Sequence, residues 1–150
     1  MIRNHPILFI WIVTIVTATL AAAVIIVSIT PFPPNWAILL SLAPVSAVAA
    51  CLLFAKRMAM YARAGQLSQV LITSLVIVIF SHLVYGFIGA FLPQLRGYPD
   101  SGFLSMLFFG TFIVPIYGGL VTIPCGLIAG YVVYRLMKRN DPANDKPAEA

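Results

Sequence analysis

The chain has 150 residues, of which 61% are hydrophobic and only 9% are charged, and its mean hydropathy is +1.02. Soluble domains are about half apolar and about a quarter charged, so this composition excludes a water-soluble globular protein. The net charge of +5 does not require a nucleic acid partner, because retention of basic residues at one membrane face accounts for it. We therefore expect an integral membrane protein whose main surroundings are the lipid bilayer.

Four apolar segments are each long enough to cross a membrane, which takes roughly 20 helical residues. Irregular backbone cannot be satisfied in lipid, and no segment alternates with the period of two that a barrel strand needs. We predict an all-α integral membrane four-helix bundle that occupies 1–137. The predicted helices cover about 7–29, 36–55, 68–92 and 104–136.

The first helix resembles a signal peptide in two respects. Arg3 gives it a short basic start, and Ala21, Ala22 and Ala23 resemble a cleavage site. The apolar run continues past these alanines, whereas the apolar region of a signal peptide is usually about 7–15 residues long. We expect an uncleaved first helix, with cleavage as the alternative.

The second helix is predicted to end at Ala55, because Lys56 and Arg57 open the basic connection KRMAMYARAGQ. That connection either holds one helical turn on the membrane surface or is a simple link. The loop 30–35 is rich in proline and joins the first two helices in a tight antiparallel hairpin.

Basic residues predict the orientation, because they are retained on the cytoplasmic side of a membrane. Most of them precede the first helix, join the second to the third, or follow the fourth. We predict that both termini are cytoplasmic and that the membrane is a bacterial inner membrane. The tail 138–150 is polar and contains proline, so we expect a disordered cytoplasmic segment.

The fourth segment is too long for one upright span, since some thirty helical residues extend about 45–50 Å across a core about 30 Å thick. Pro115 and Pro124 each remove a backbone hydrogen bond, so we predict a long helix kinked at both. Either its first turns lie along the membrane interface, or it breaks near Gly118 and Gly119 and lines a cavity.

Small residues recur every four positions along the fourth helix, and Gly126 to Gly130 is a G-x-x-x-G match. Such residues let a neighbouring backbone approach closely. We predict that Gly118, Gly126 and Gly130 are helix-packing residues, against the chain's own helices in preference to a second copy.

His82 lies near the middle of the third apolar segment and shares a helix face with Ser81 and Tyr85. No Asp or Glu lies in the apolar segments, so we expect a neutral imidazole that donates one hydrogen bond and accepts another. It is either a structural link to the fourth helix or a proton relay or ligand contact. The possible functional polar site comprises His82, Tyr85, Tyr117 and Thr122.

The sequence contains no catalytic, metal-binding or nucleotide-binding motif of the H-E-x-x-H, G-x-S-x-G or P-loop kind. Cys51 and Cys125 fall inside predicted helices, and we interpret them as small apolar packing residues. A haem held by two histidines needs a second one at membrane depth, and His5 lies outside the first segment. We therefore predict no enzyme and no cofactor, although a single axial histidine leaves a redox subunit as a third hypothesis.

These observations favour a non-catalytic protein that acts through helix contacts, as an accessory, assembly or regulatory subunit of a membrane-protein partner. The alternative is a small homo-oligomeric transporter or channel with a path near His82 and a broken fourth helix. The size and helix number resemble the small four-helix multidrug transporters, which work as dimers. The membrane carboxylate expected of that family has no counterpart in these segments.

Overall fold

The structure is a computed structural model and describes residues 5–28, 36–95 and 114–139, together with Leu104, Phe108 and Phe112. Each of the four long helices contains a segment long and apolar enough to cross a membrane. The prediction of an all-α chain with four such helices is therefore confirmed. The helices are α1 Pro6–Ser28, α2 Trp36–Arg63, α3 Leu67–Leu95 and α4 Val114–Arg139.

The helices pack as a ring in which neighbours along the chain lie side by side and α1 closes against α4. α2 is the most enclosed, with 50% of its apolar span buried against 17% for α1. Its buried face consists of small residues, among them Ala43, Ala47 and Ala50. Small side chains let helix backbones approach closely, so van der Waals packing can hold the bundle where lipid removes the hydrophobic driving force.

The tightest packing lies at the end of the bundle where α1 and α3 begin and where α2 and α4 end, which we call the packed end. Its largest fully buried side chains are Ile10, Cys51, Val70 and Val133, one from each helix. The burial of Cys51 agrees with its interpretation as a small apolar packing residue.

α2 does not end at Ala55, as the sequence analysis expected, but continues to Arg63. The extension is helical because Met58, Ala59 and Ala62 are buried in the packed end, although charged side chains lie between them. The helix ends at a Schellman motif, in which Gly65 has a positive φ of 70° and its N–H bonds to the carbonyl of Ala62.

α4 is continuous from Val114 to Arg139 and passes through Gly118 and Gly119 without a break. The hypothesis of a helix broken at these glycines is therefore wrong, because both are buried against neighbouring side chains and the backbone keeps its own hydrogen bonds. α4 also extends beyond 136, so the first two residues of the expected tail are helical.

Three expectations fall outside the described residues. The proline-rich loop 30–35 is one, and the tail from 140 to 150 is another. The third is the interfacial placement of the first turns of the fourth segment, of which only Leu104, Phe108 and Phe112 are described.

Candidate functional site

His82 of α3 and Thr122 of α4 meet across the helix interface. The imidazole Nε2 lies 2.8 Å from the Thr122 hydroxyl oxygen. The same hydroxyl lies 3.0 Å from the backbone carbonyl of Gly118, one turn earlier in α4. Both side chains are partly buried, so this hydrogen-bonded chain joins the two helices within the apolar part of the bundle.

The two contacts of Thr122 assign the protons. A hydroxyl has one hydrogen, and a backbone carbonyl can only accept, so Thr122 donates to Gly118 and accepts from His82. Nε2 of His82 must then carry the ring proton. In a neutral imidazole this leaves Nδ1 as an acceptor.

Gly118 lies next to His82, but the contact does not require glycine. A Cβ built at Gly118 would lie 3.4 Å from Cε1 of His82 and 3.5 Å from Cδ1 of Ile25 on α1. These are the distances of ordinary contacts, so an alanine would also fit between α4 and the imidazole. The predicted packing residue and the predicted polar residue therefore belong to the same contact.

A second polar link between α3 and α4 lies one to two turns nearer the packed end. The Ser74 hydroxyl donates to the backbone carbonyl of Gly126 at 2.5 Å. A Cβ at Gly126 would overlap with Val78, and a Cβ at Gly130 would lie 2.8 Å from both Cβ and Oγ of Ser74. Gly126 and Gly130 are therefore packing residues within one chain.

A cavity of about 130 Å³ lies between the four helices, on the side of His82 and Thr122. Its wall is mainly apolar and includes residues of every helix, such as Ala22 of α1 and Ser46 of α2. The cavity is half open to the surroundings of the bundle, so it is a pocket rather than one of the small enclosed voids of a protein interior.

The structure places most of the predicted site residues around this cavity. His82, Tyr85, Thr122, Gly126 and Gly130 all lie on its wall. Gly118 lies next to them, because it accepts the Thr122 hydrogen bond. The side chain of Tyr117 lies outside the described part of the chain.

Sequence reasoning did not relate the polar wall residues of α1 and α2 to His82. Thr14 and Ser46 lie on other helices than His82, and only the packing of those helices brings them together. Ser74 and Ser81 share one face of α3 with His82, as their seven-residue spacing indicates, and both lie on the wall.

Within the described residues no group of three His, Cys, Asp or Glu side chains could hold a metal ion. Both cysteines are free thiols there, Cys51 buried and Cys125 partly exposed.

Comparison with known proteins gives no relative for this arrangement. No protein-family model matches the chain, and no curated protein and no solved structure shows significant similarity to it. The site must therefore be interpreted from its own geometry.

Proposed function

We propose that this chain is a non-catalytic multi-pass membrane protein that binds a small molecule between its helices, as a carrier or a binding subunit. The cavity supports this best, because all four helices bound it and His82 lies on its wall. Ionisable side chains at membrane depth are costly and usually mark ligand or ion pathways. An apolar cavity of about 150 Å³ suffices for a benzene-sized molecule, so the observed volume fits a small ligand.

This proposal develops the transporter hypothesis in preference to a role in helix contacts. The small-residue pattern of α4 motivated the helix-contact hypothesis, but Gly126 and Gly130 lie against Val78 and Ser74 of the same chain. That surface is already covered by α3. The pattern therefore supports closure of the bundle around the cavity.

We infer that the packed end faces the cytoplasm of a bacterial cell, with both termini on that side. All Lys and Arg residues in the described segments lie at that end. Basic residues are retained on the cytoplasmic side, which supports the inference. A reporter enzyme that is active only outside the cytoplasm should be inactive when fused to the C-terminus. The basic residues concerned are Lys56, Arg57, Arg63, Arg135, Lys138 and Arg139.

We propose that α4 is kinked at its prolines. Pro124 has no N–H to donate to the carbonyl of Leu120, so the helix is weakened close to Thr122. A carrier needs a point at which one helix can move relative to the others, and such a bend would let α4 shift against α3. For Pro115 only the backbone is described.

The accessory-subunit function remains as a second candidate because of the outer face of α1. Leu8, Ile12, Val16, Leu20 and Val24 recur every four residues, and each is 42–62% exposed. Either lipid or the helix of a partner protein could cover this apolar face. The two functions differ in what is bound, a small molecule inside the ring or a protein outside it.

Native mass spectrometry of protein extracted gently from its own membrane tests the proposal. We expect the single chain to carry a bound small molecule. Ala22→Leu should displace it, because Ala22 lines the cavity and the added side chain fills the space. Ala23→Leu is the matched control, since the neighbouring Ala23 does not lie on the wall.

Two results would contradict the proposal. One is a chain without any bound small molecule, and the other is an adduct that Ala22→Leu and Ala23→Leu retain equally. A second protein bound to wild type and to both variants would move the accessory-subunit function ahead.

A further inference from the structure

Five of the seven hydroxyl side chains that the structure places on the cavity wall donate to the protein backbone, and the other two are Thr17 and Tyr85. In each case the side chain is the donor and a main-chain carbonyl is the acceptor. The donors on the wall are Thr14, Ser46, Ser74, Ser81 and Thr122, at 2.5–3.0 Å from the carbonyls of Ile10, Ala43, Gly126, Ile77 and Gly118.

The direction of these hydrogen bonds determines whether the wall hydroxyl groups can donate to a ligand or accept from it. A hydroxyl has a single hydrogen and two lone pairs, so one that donates to the backbone can only accept from anything else. His82 adds to this, because its Nε2–H donates to Thr122 and its Nδ1 is left as an acceptor. The polar part of the wall is therefore rich in acceptors.

Thr17 is the exception among the hydroxyl residues of α1 on the wall. Its side chain forms no hydrogen bond within the part of the chain that the structure describes. Its proton is therefore available to a ligand. A ligand group that both donates and accepts would fit the wall as a whole.

Charge on the ligand is disfavoured by the same wall. Among the described residues that line the cavity, none is Asp, Glu, Lys or Arg, so neither a cation nor an anion would find a carboxylate, ammonium or guanidinium partner among them. An ion without a partner in an apolar environment is strongly destabilised. The remaining lining is mainly alanine, valine and isoleucine, which suits an apolar body.

We propose that the ligand of this cavity is a small, uncharged, mainly apolar molecule that carries a hydroxyl group, which it donates to the acceptors around His82. This inference rests on the proposed binding function and specifies its ligand class. The cavity volume of about 130 Å³ is close to that of a cavity of about 150 Å³ that holds benzene, so the ligand should be about that size.

Three fluorinated probes of similar size test the proposal on the full chain in lipid nanodiscs. Para-fluorophenol has a hydroxyl, para-fluoroanisole can only accept, and para-fluorobenzylammonium is a cation. Fluorine NMR titration measures the binding of each to wild type, Ala22→Leu and Ala23→Leu. Because each probe also partitions into lipid, the site-specific signal is the part that Ala22→Leu removes and Ala23→Leu keeps.

We expect the fluorophenol to bind about three- to tenfold more tightly than the fluoroanisole, which is the usual worth of one additional hydrogen bond. The cation should show no site-specific signal. Equal binding of the fluorophenol and the fluoroanisole, or tighter binding of the cation, would overturn the ligand class and leave the binding function standing. If no probe gives a signal that Ala22→Leu removes, the ligand class and the proposed binding function fail together.

Thr122→Val provides a second test, in which the measured quantity is the preference for fluorophenol over fluoroanisole. A loss of folding alone would not change this preference. Loss of this hydroxyl leaves the ring proton of His82 without the Thr122 acceptor, on whichever nitrogen carries it, so the wall gains a donor and loses an acceptor. The preference for fluorophenol over fluoroanisole should then fall about threefold. Thr19→Val should not change it, because Thr19 bonds only within α1 and lies off the wall. An unchanged preference in Thr122→Val would overturn the donor–acceptor assignment on which the proposal rests.

Discussion

The packed end and the cavity half of the bundle are built from similar residues but are packed in opposite ways. At the packed end Ala62 and Val70 are completely buried and Ala55 is 1% exposed. Around the cavity, Ala18 and Ala22 are only partly buried and leave a space between the four helices. Composition alone therefore does not decide where a membrane bundle closes. What differs is whether small residues meet larger partners or other small residues.

The hydrogen bonds of the two regions differ in where they lie along the helices. At the packed end they hold helix ends, as where the Tyr134 hydroxyl donates to the carbonyl of Gly65 in the α2–α3 turn. In the cavity half they cross between helix centres, from Ser74 to Gly126 and from His82 to Thr122. The described hydrogen bonds between helix centres thus lie beside the cavity.

The largest effect should come from the α3–α4 contact, where Gly126 and Gly130 form a tight seam beside the cavity. Gly126→Leu would push α4 away from Val78, which is β-branched and cannot move aside easily. We expect a loss of about 3 kcal/mol in the free energy of unfolding, measured by denaturation with sodium dodecyl sulfate in mixed micelles.

Gly89→Leu is the control for this prediction. A Cβ at Gly89 meets nothing within 4 Å among the described residues, so the added side chain has open space there. The stability of this variant should stay close to that of wild type. Equal losses in the two variants would mean that glycine as such, rather than the seam, is required.

Adding the same side chain in both regions tests the comparison directly. Ala62→Leu has no space to enter and should cost about 1–3 kcal/mol in the free energy of unfolding. Ala22→Leu faces the cavity and should change stability by less than about 0.5 kcal/mol, because it fills a void. Thermal unfolding in the same detergent orders the two variants. The reverse order would contradict the division into a packed and an open half.

A substitution in the turn that closes the packed end should cost less in the free energy of unfolding. Gly65→Ala places a Cβ in a left-handed conformation with φ of 70°, which costs about 1–2 kcal/mol. Hydrogen exchange should rise at the amides of Gly65 and Gln66, which form the Schellman hydrogen bonds to Ala62 and Tyr61. Unchanged exchange there would show that the turn keeps its shape without glycine.

Hydropathy was enough to predict four helices, because the cost of free backbone in lipid leaves few alternatives. The end of α2 was misplaced because a hydropathy window ends at the first charges, Lys56 and Arg57. The helix follows a different signal, the spacing of Ala55, Met58 and Ala62 on one face, and Gly65 marked its end.

The candidate site was only partly predictable. The isolated position of His82 and the spacing of Gly118, Thr122 and Gly126 were visible along single helices. The cavity was not, because it depends on which faces of different helices meet. Ser46 reaches the wall from α2, and no pattern within α2 relates it to His82.

The smallest effect should come from the His82–Thr122 hydrogen bond itself. Thr122→Val keeps the shape of the side chain and removes the acceptor, and such bonds between membrane helices average about 0.6 kcal/mol. Thr19→Val is the control, since its hydroxyl bonds only within its own helix. Nitrogen NMR of the imidazole should show the ring proton on Nε2 in wild type and in Thr19→Val, and a shift of the tautomer balance towards Nδ1 in Thr122→Val. A wild-type proton on Nδ1 would reverse the direction of this bond and, with it, the acceptor character of the cavity wall.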